Sequence, residues 1–121
     1  MSKEQVSDRL RRLELRRRAV LDHLLENEPL VRGSLTKVLQ RCGKPSCHCA
    51  KKPAHLTWRL MTSRNAKQRC QLVRQDDVER IQALVQNSKA FADGLREIEN
   101  IQREQKDLLR VIREQRDQGY E

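Results

Sequence analysis

The sequence predicts an α+β fold: an antiparallel two-helix coiled-coil hairpin with a small, zinc-stapled, three-stranded antiparallel β module inserted between the helices. Three observations carry this expectation. Apolar residues recur in alternating steps of four and three near both ends of the chain. Between them lie three short stretches of β-compatible residues separated by turn-forming sequence. Three of the four cysteines, Cys42, Cys47 and Cys49, fall within eight positions. The expected segments are 1–28 for the first helix, 29–75 for a basic zinc-binding β module and 76–121 for a longer second helix.

The first helix is set by Val6, Leu10, Leu13, Val20 and Leu24, with Arg17 in the one missing heptad place. Charged flanks surround this seam, and Pro29 stops it, so a helix from about Lys3 to Asn27 follows. Strands are expected over Ser34–Arg41, His55–Ser63 and Lys67–Arg74, with Arg64-Asn65 as the turn between the last two. The second helix should begin at Asp76 or Asp77, whose carboxylates suit a helix N-terminus, and run towards Gln118 and Gly119. Its seam is Ile81, Leu84, Ser88, Phe91, Leu95 and Ile98, interrupted at Gln102 and Gln105 and resumed at Leu109 and Ile112. Gly94 costs such a helix roughly 1 kcal/mol relative to alanine and marks a bend or a close crossing.

At 1.5 Å per residue the helices would be roughly 37 Å and 63 Å long, so they cannot match. An unmatched end carrying Ile101, Leu108, Leu109 and Ile112 would be exposed unless another chain covers it. Together with Leu95 and Ile98, these residues form the expected surface for a homodimer or a larger protein partner.

The length of 121 residues fits one folded unit. Only Trp58, Phe91 and Tyr120 are aromatic, and charged residues equal hydrophobic ones at 36%, so a thick core is not expected. The net charge of +9 is unevenly placed: residues 1–28 carry +1, residues 29–75 carry +11 with no Asp or Glu, and residues 76–121 carry −3. A basic block of this kind attracts phosphates through charge neutralisation and counterion release. The opening MSKEQVSDRL has no signal-peptide run, and no window approaches a membrane span, so a cytoplasmic protein is expected.

In a reducing compartment, crowded cysteines point to a metal rather than to disulfides. Cys42, Cys47 and Cys49 would supply three thiolates to one tetrahedral Zn2+, with Gly43 and Pro45 shaping the turn. His55 completes a Cys3His set, and His48, flanked by Cys47 and Cys49, is its competitor. A closed four-ligand site leaves no position for substrate, so the zinc is expected to be structural. Cys70 stands apart.

Gly33-Ser34-Leu35, then Arg41-Cys42-Gly43-Lys44-Pro45 with Cys47 and Cys49-Ala50, then His55, Trp58 and a long charged helix, resemble a family of small bacterial proteins of unknown function often encoded beside transposases and other mobile elements. The resemblance runs over roughly residues 31–115. It implies a bacterial protein associated with mobile DNA and brings no established activity.

No paired carboxylates, phosphate-cradling glycine loop or activated nucleophile can be assembled, so neither an enzyme nor a small-molecule substrate is expected. The expected function is a nucleic-acid-binding accessory protein. Arg41, Lys44, Lys51, Lys52, Arg59, Arg64, Lys67 and Arg69 would contact phosphates of DNA or RNA, and Trp58 would either stack on a base or serve the core of the sheet. The alternative is a structural adaptor that bridges protein subunits through its helices.

Overall fold

The structure, a computed structural model, describes residues 2–40, 44–46 and 55–120. Two helices flank a three-stranded antiparallel sheet in the order α1 (Lys3–Leu24), β1 (Gly33–Gln40), β2 (His55–Arg64), β3 (Lys67–Val73) and α2 (Val78–Arg116). The chain forms two compact units, one from residues 1–27 and 91–121 and the other from residues 28–90.

In the first unit, α1 opens on a capping box. Ser2 Oγ accepts from the Gln5 amide at 3.2 Å, and Gln5 Oε1 accepts from the Ser2 amide at 2.8 Å. Two otherwise orphaned donors are thereby satisfied, an arrangement worth about 1 kcal/mol. The helix ends at Leu24, earlier than the expected Asn27: the Leu25 amide still donates to the Leu21 carbonyl at 3.0 Å, but the Glu26 amide turns to the His23 carbonyl at 3.2 Å in a tighter last turn.

The later part of α2 runs in the opposite direction beside α1. Arg9 pairs with Glu104 at 2.8 Å, and Arg16, seven residues further on, pairs with Glu97, seven residues earlier, at 2.5 Å. Val6, Leu13, Ile101 and Leu108 form the buried cluster, with Leu10 and Ile112 packed on it. Each such side chain contributes roughly 1.5–3 kcal/mol by leaving water. Glu14 bonds Arg17, which occupies the polar seam place. The Arg17 hydrogen bond holds the Glu14 carboxyl below its ordinary range, and the Arg9 hydrogen bond does the same for Glu104.

Two expectations about α2 are corrected here. Its inner stripe passes through Gly94, Ile98, Ile101, Gln105, Leu108 and Ile112; it shares Ile98, Gln105 and Ile112 with the expected line but takes Gly94, Ile101 and Leu108 in place of Leu95, Gln102 and Leu109, leaving Leu95 and Leu109 about half exposed. The shift places Gly94 against α1, where a Cβ would lie 2.7 Å from Leu24 Cδ2, so this glycine serves a close crossing. Nor are Ile101 and Leu108 left exposed on an unmatched end, since α1 buries both. The additional length of α2 lies at its beginning, in the unit that contains the sheet.

In the second unit, β2 is the central strand, paired with β1 and β3. The turn consists of Asn65 and Ala66, both left-handed (φ 50° and 63°), which shifts it one residue from the expected Arg64-Asn65. Two consecutive left-handed residues match the right-handed twist of a tight hairpin. After β3, Gln75–Asp77 makes one 3-10 turn before α2, so Asp76 and Asp77 precede the α-helix proper. Among the described residues, Leu60, Val78 and Val85 are the buried hydrophobics of this unit. The Val31 amide donates to the Leu84 carbonyl at 3.0 Å, and Asn87 Nδ2 donates to the Pro29 carbonyl at 2.9 Å, which fixes the segment leading into β1 onto α2.

Candidate nucleic-acid interface

Alternation along the strands decides which basic side chains share a face. In β2, Leu56, Trp58, Leu60, Thr62 and Arg64 point to one side. Their register partners in β3 are Val73 for Trp58, Gln71 for Leu60, Arg69 for Thr62 and Lys67 for Arg64. In β1, Lys37 lies opposite Trp58 and Leu35 opposite Leu60. Leu60 is buried while Leu35, Trp58 and Val73 are half-buried, so this face packs near its middle and becomes basic towards the hairpin turn.

At that end lies a cleft of about 730 Å³. Leu30 and Val31 of the anchored entry segment and Leu60 of β2 are its apolar lining. Thr62, Ser63, Asn65 and Gln71 add hydroxyl and amide groups, and Arg32, Arg64, Lys67 and Arg69 supply four positive charges with no acid. None of these four cations enters an ion pair among the described residues. Arg64 and Lys67 face each other directly across the hairpin, a like-charge pair that the fold must tolerate. In the helical unit, by contrast, Arg9, Arg16, Arg17, Arg96 and Arg110 each meet a carboxylate.

Of the residues singled out from the sequence, Arg64, Lys67 and Arg69 are brought together. Arg59 is not: its place in β2 puts it on the opposite face, where its Nη1 lies 4.0 Å from the sulfur of Cys70. Trp58 is half-buried with the Lys37 ammonium 5.5 Å from its ring centroid, so a cation already covers part of the aromatic surface. Lys44 is exposed in the connection between β1 and β2. Arg41, Lys51 and Lys52 lie outside the described residues. Arg32, Thr62 and Gln71 escaped the sequence reading; two-residue alternation through β2 and β3, counted outward from Leu60, finds the last two, whereas Arg32 joins only through the folded entry segment.

Cys42, Cys47, Cys49 and His48 also lie outside the described residues. The backbone of His55 is described, and it pairs with Gln40. Residues 41–54 therefore leave and re-enter the sheet at directly opposed positions, whose Cα atoms stand about 5 Å apart. Three thiolates and an imidazole are a donor set that suits zinc. Among the described residues no group of three or more His, Cys, Asp or Glu is gathered for a metal, and Cys70 is exposed on β3.

Among the described residues no helix is long and apolar enough to cross a membrane. No curated protein and no solved structure matches the chain. One family does, over residues 4–83, a span that takes in almost all of α1, every strand of the sheet and the start of α2. With more than half its length matched, the chain belongs to the family described as a domain of unknown function, DUF6788.

Proposed function

We propose that this chain is a non-enzymatic nucleic-acid-binding accessory protein whose basic β module grips phosphates. The observation that supports this most strongly is the set of cations in the sheet unit, Arg32, Arg64, Lys67 and Arg69, which have no carboxylate partner among the described residues. Unpaired, clustered cations lower the stability of a fold and raise its attraction for a polyanion. Lys44, Lys51 and Lys52 add three positive charges to the sequence that connects β1 and β2. Cys42, Cys47, Cys49 and His55 hold one structural Zn2+ that closes this connection, and α1 with the later part of α2 forms a coiled-coil pair. An association with mobile DNA rests on the Arg41–Cys49 motif and its resemblance alone.

Binding is tested by titrating a labelled oligonucleotide at increasing salt. Affinity should fall linearly on a log–log plot with a slope of about −0.7 per phosphate contact for a single strand. An absence of binding at low salt would remove this reading. The zinc is tested by metal analysis of the purified protein and of its Cys47→Ser variant: one equivalent is expected in the first and none in the second.

A second reading, a structural adaptor that dimerises or bridges subunits, is favoured by the exposed Leu95 and Leu109 on α2. Polar substitution of these two residues would abolish function under that reading and leave nucleic-acid affinity unchanged under the first.

A further inference from the structure

We infer that the cleft beside the β2–β3 hairpin takes one unstacked nucleotide of a single strand, with Arg32 and the Arg64, Lys67, Arg69 group holding the phosphates on either side of it. The inference rests on the proposed nucleic-acid function and locates it.

Three features lead there. The cleft crosses the sheet: Arg32 enters from the segment before β1, whereas Lys67 and Arg69 belong to β3, and β2 lies between. Outer strands of such a sheet stand about 10 Å apart, so positive charge is available on both sides of an occupant. The lining changes character between these cations, with an apolar surface from Leu60 and hydrogen-bonding groups from Thr62 and Gln71. An aromatic base that has left its stack presents the same combination, an apolar face and a polar edge. Finally, the entry segment is fixed in advance by the Val31–Leu84 and Asn87–Pro29 hydrogen bonds, so the wall that carries Arg32 needs little ordering when a ligand binds.

Duplex DNA is disfavoured by the same wall. A two-stranded ribbon can enter a major groove, but here the entry segment lines this face of the hairpin and leaves a concavity where a groove-binding ribbon would need a protruding surface. Like charges opposed at Arg64 and Lys67 fit a site whose residues are held for a ligand rather than for stability.

The test compares fluorescence anisotropy of the full chain with end-labelled strands of about 12 nucleotides, as DNA, as RNA and as the DNA duplex. The expected result is tighter binding of the single strands than of the duplex. DNA against RNA then identifies which sugar is preferred. In a variant with Arg64→Gln, Lys67→Gln and Arg69→Gln, single-strand affinity should fall at least about tenfold at low salt, and the salt slope should become shallower by about 0.7 per lost contact. The same variant should unfold at an equal or higher urea concentration than the parent, because the opposed like charges are gone; loss of binding through misfolding would move urea stability the other way. A charge-matched control, Arg11→Gln, Arg12→Gln and Arg103→Gln on the helices, should bind within about twofold of the parent.

An equal loss in that control would overturn the inference, since net charge alone would then explain binding. So would preference for the duplex. Binding that survives in the cleft variant but disappears when Lys51 and Lys52 are replaced would overturn the cleft and leave the nucleic-acid function standing. Failure of every oligonucleotide to bind the parent chain at low salt would overturn both.

Discussion

Gly33 occupies the first place of β1, opposite Thr62, where strand pairing leaves no room for a side chain. A Cβ there would lie 2.6 Å from the Met61 carbonyl oxygen and 2.9 Å from Thr62 Cγ2. Because the first of these atoms is backbone, one strand must move, and Gly33→Ala should destabilise the protein by about 1–3 kcal/mol, read as a lower urea midpoint at unchanged slope. Charge at single residues sets a second expectation. Glu14 and Glu104 have carboxyls held below their ordinary range by Arg17 and Arg9 respectively. A carboxyl depressed in the folded state contributes stability above its unfolded value, near 4.3, and that contribution is lost as pH falls through the folded value. The urea midpoint should therefore drop on acidification below about pH 4.5, and Glu104→Gln should flatten that drop. Both pairs are largely solvated, so the change will be modest.

At the scale of elements, the strands were the most legible part of the sequence, because alternating residues bounded by Pro, Gly and Asn admit few other conformations. His55 and Lys67 begin β2 and β3 as expected, and the remaining ends differ by one residue. The α1 seam was equally plain, since Val6, Leu10, Leu13, Val20 and Leu24 keep the four-and-three spacing in a segment rich in charge, and Val6, Leu13 and Val20 are buried. The later part of α2 was not. Ile98, Ile101, Leu108, Leu109 and Ile112 fit two adjacent heptad lines, and sequence periodicity alone favoured the line through Leu95 and Leu109. The fold takes the other because Gly94 allows Leu24 to approach and because Glu97 and Glu104 then meet Arg16 and Arg9. That choice has a direct consequence: Leu108→Ala should cost about 3 kcal/mol, whereas Leu109→Ala should stay within about 0.5 kcal/mol. Equal costs in urea unfolding would mean that the stripe lies elsewhere.

Taken whole, the molecule separates its charges by unit. Helical arginines are largely answered by carboxylates on the facing helix or one turn away, while the segment from Pro29 to Gln75 contains eleven basic residues and no acid. That asymmetry was readable from composition. Its division into faces was less so: Arg59 and Arg64 are five residues apart and end on opposite sides of β2, and Arg32 comes to the cleft only because Pro29 and Val31 are held by α2. Nucleic acid is therefore expected to bind this acid-free segment and not the helices. Amide chemical-shift mapping by NMR, with the full chain titrated by a short single-stranded oligonucleotide at low salt, addresses it directly. The largest shifts are expected at Arg32, Thr62, Arg64, Lys67, Arg69 and Gln71, with residues of α1 and the end of α2 nearly unmoved. Shifts concentrated on α1 around Arg11 and Arg12, with the hairpin unchanged, would contradict it.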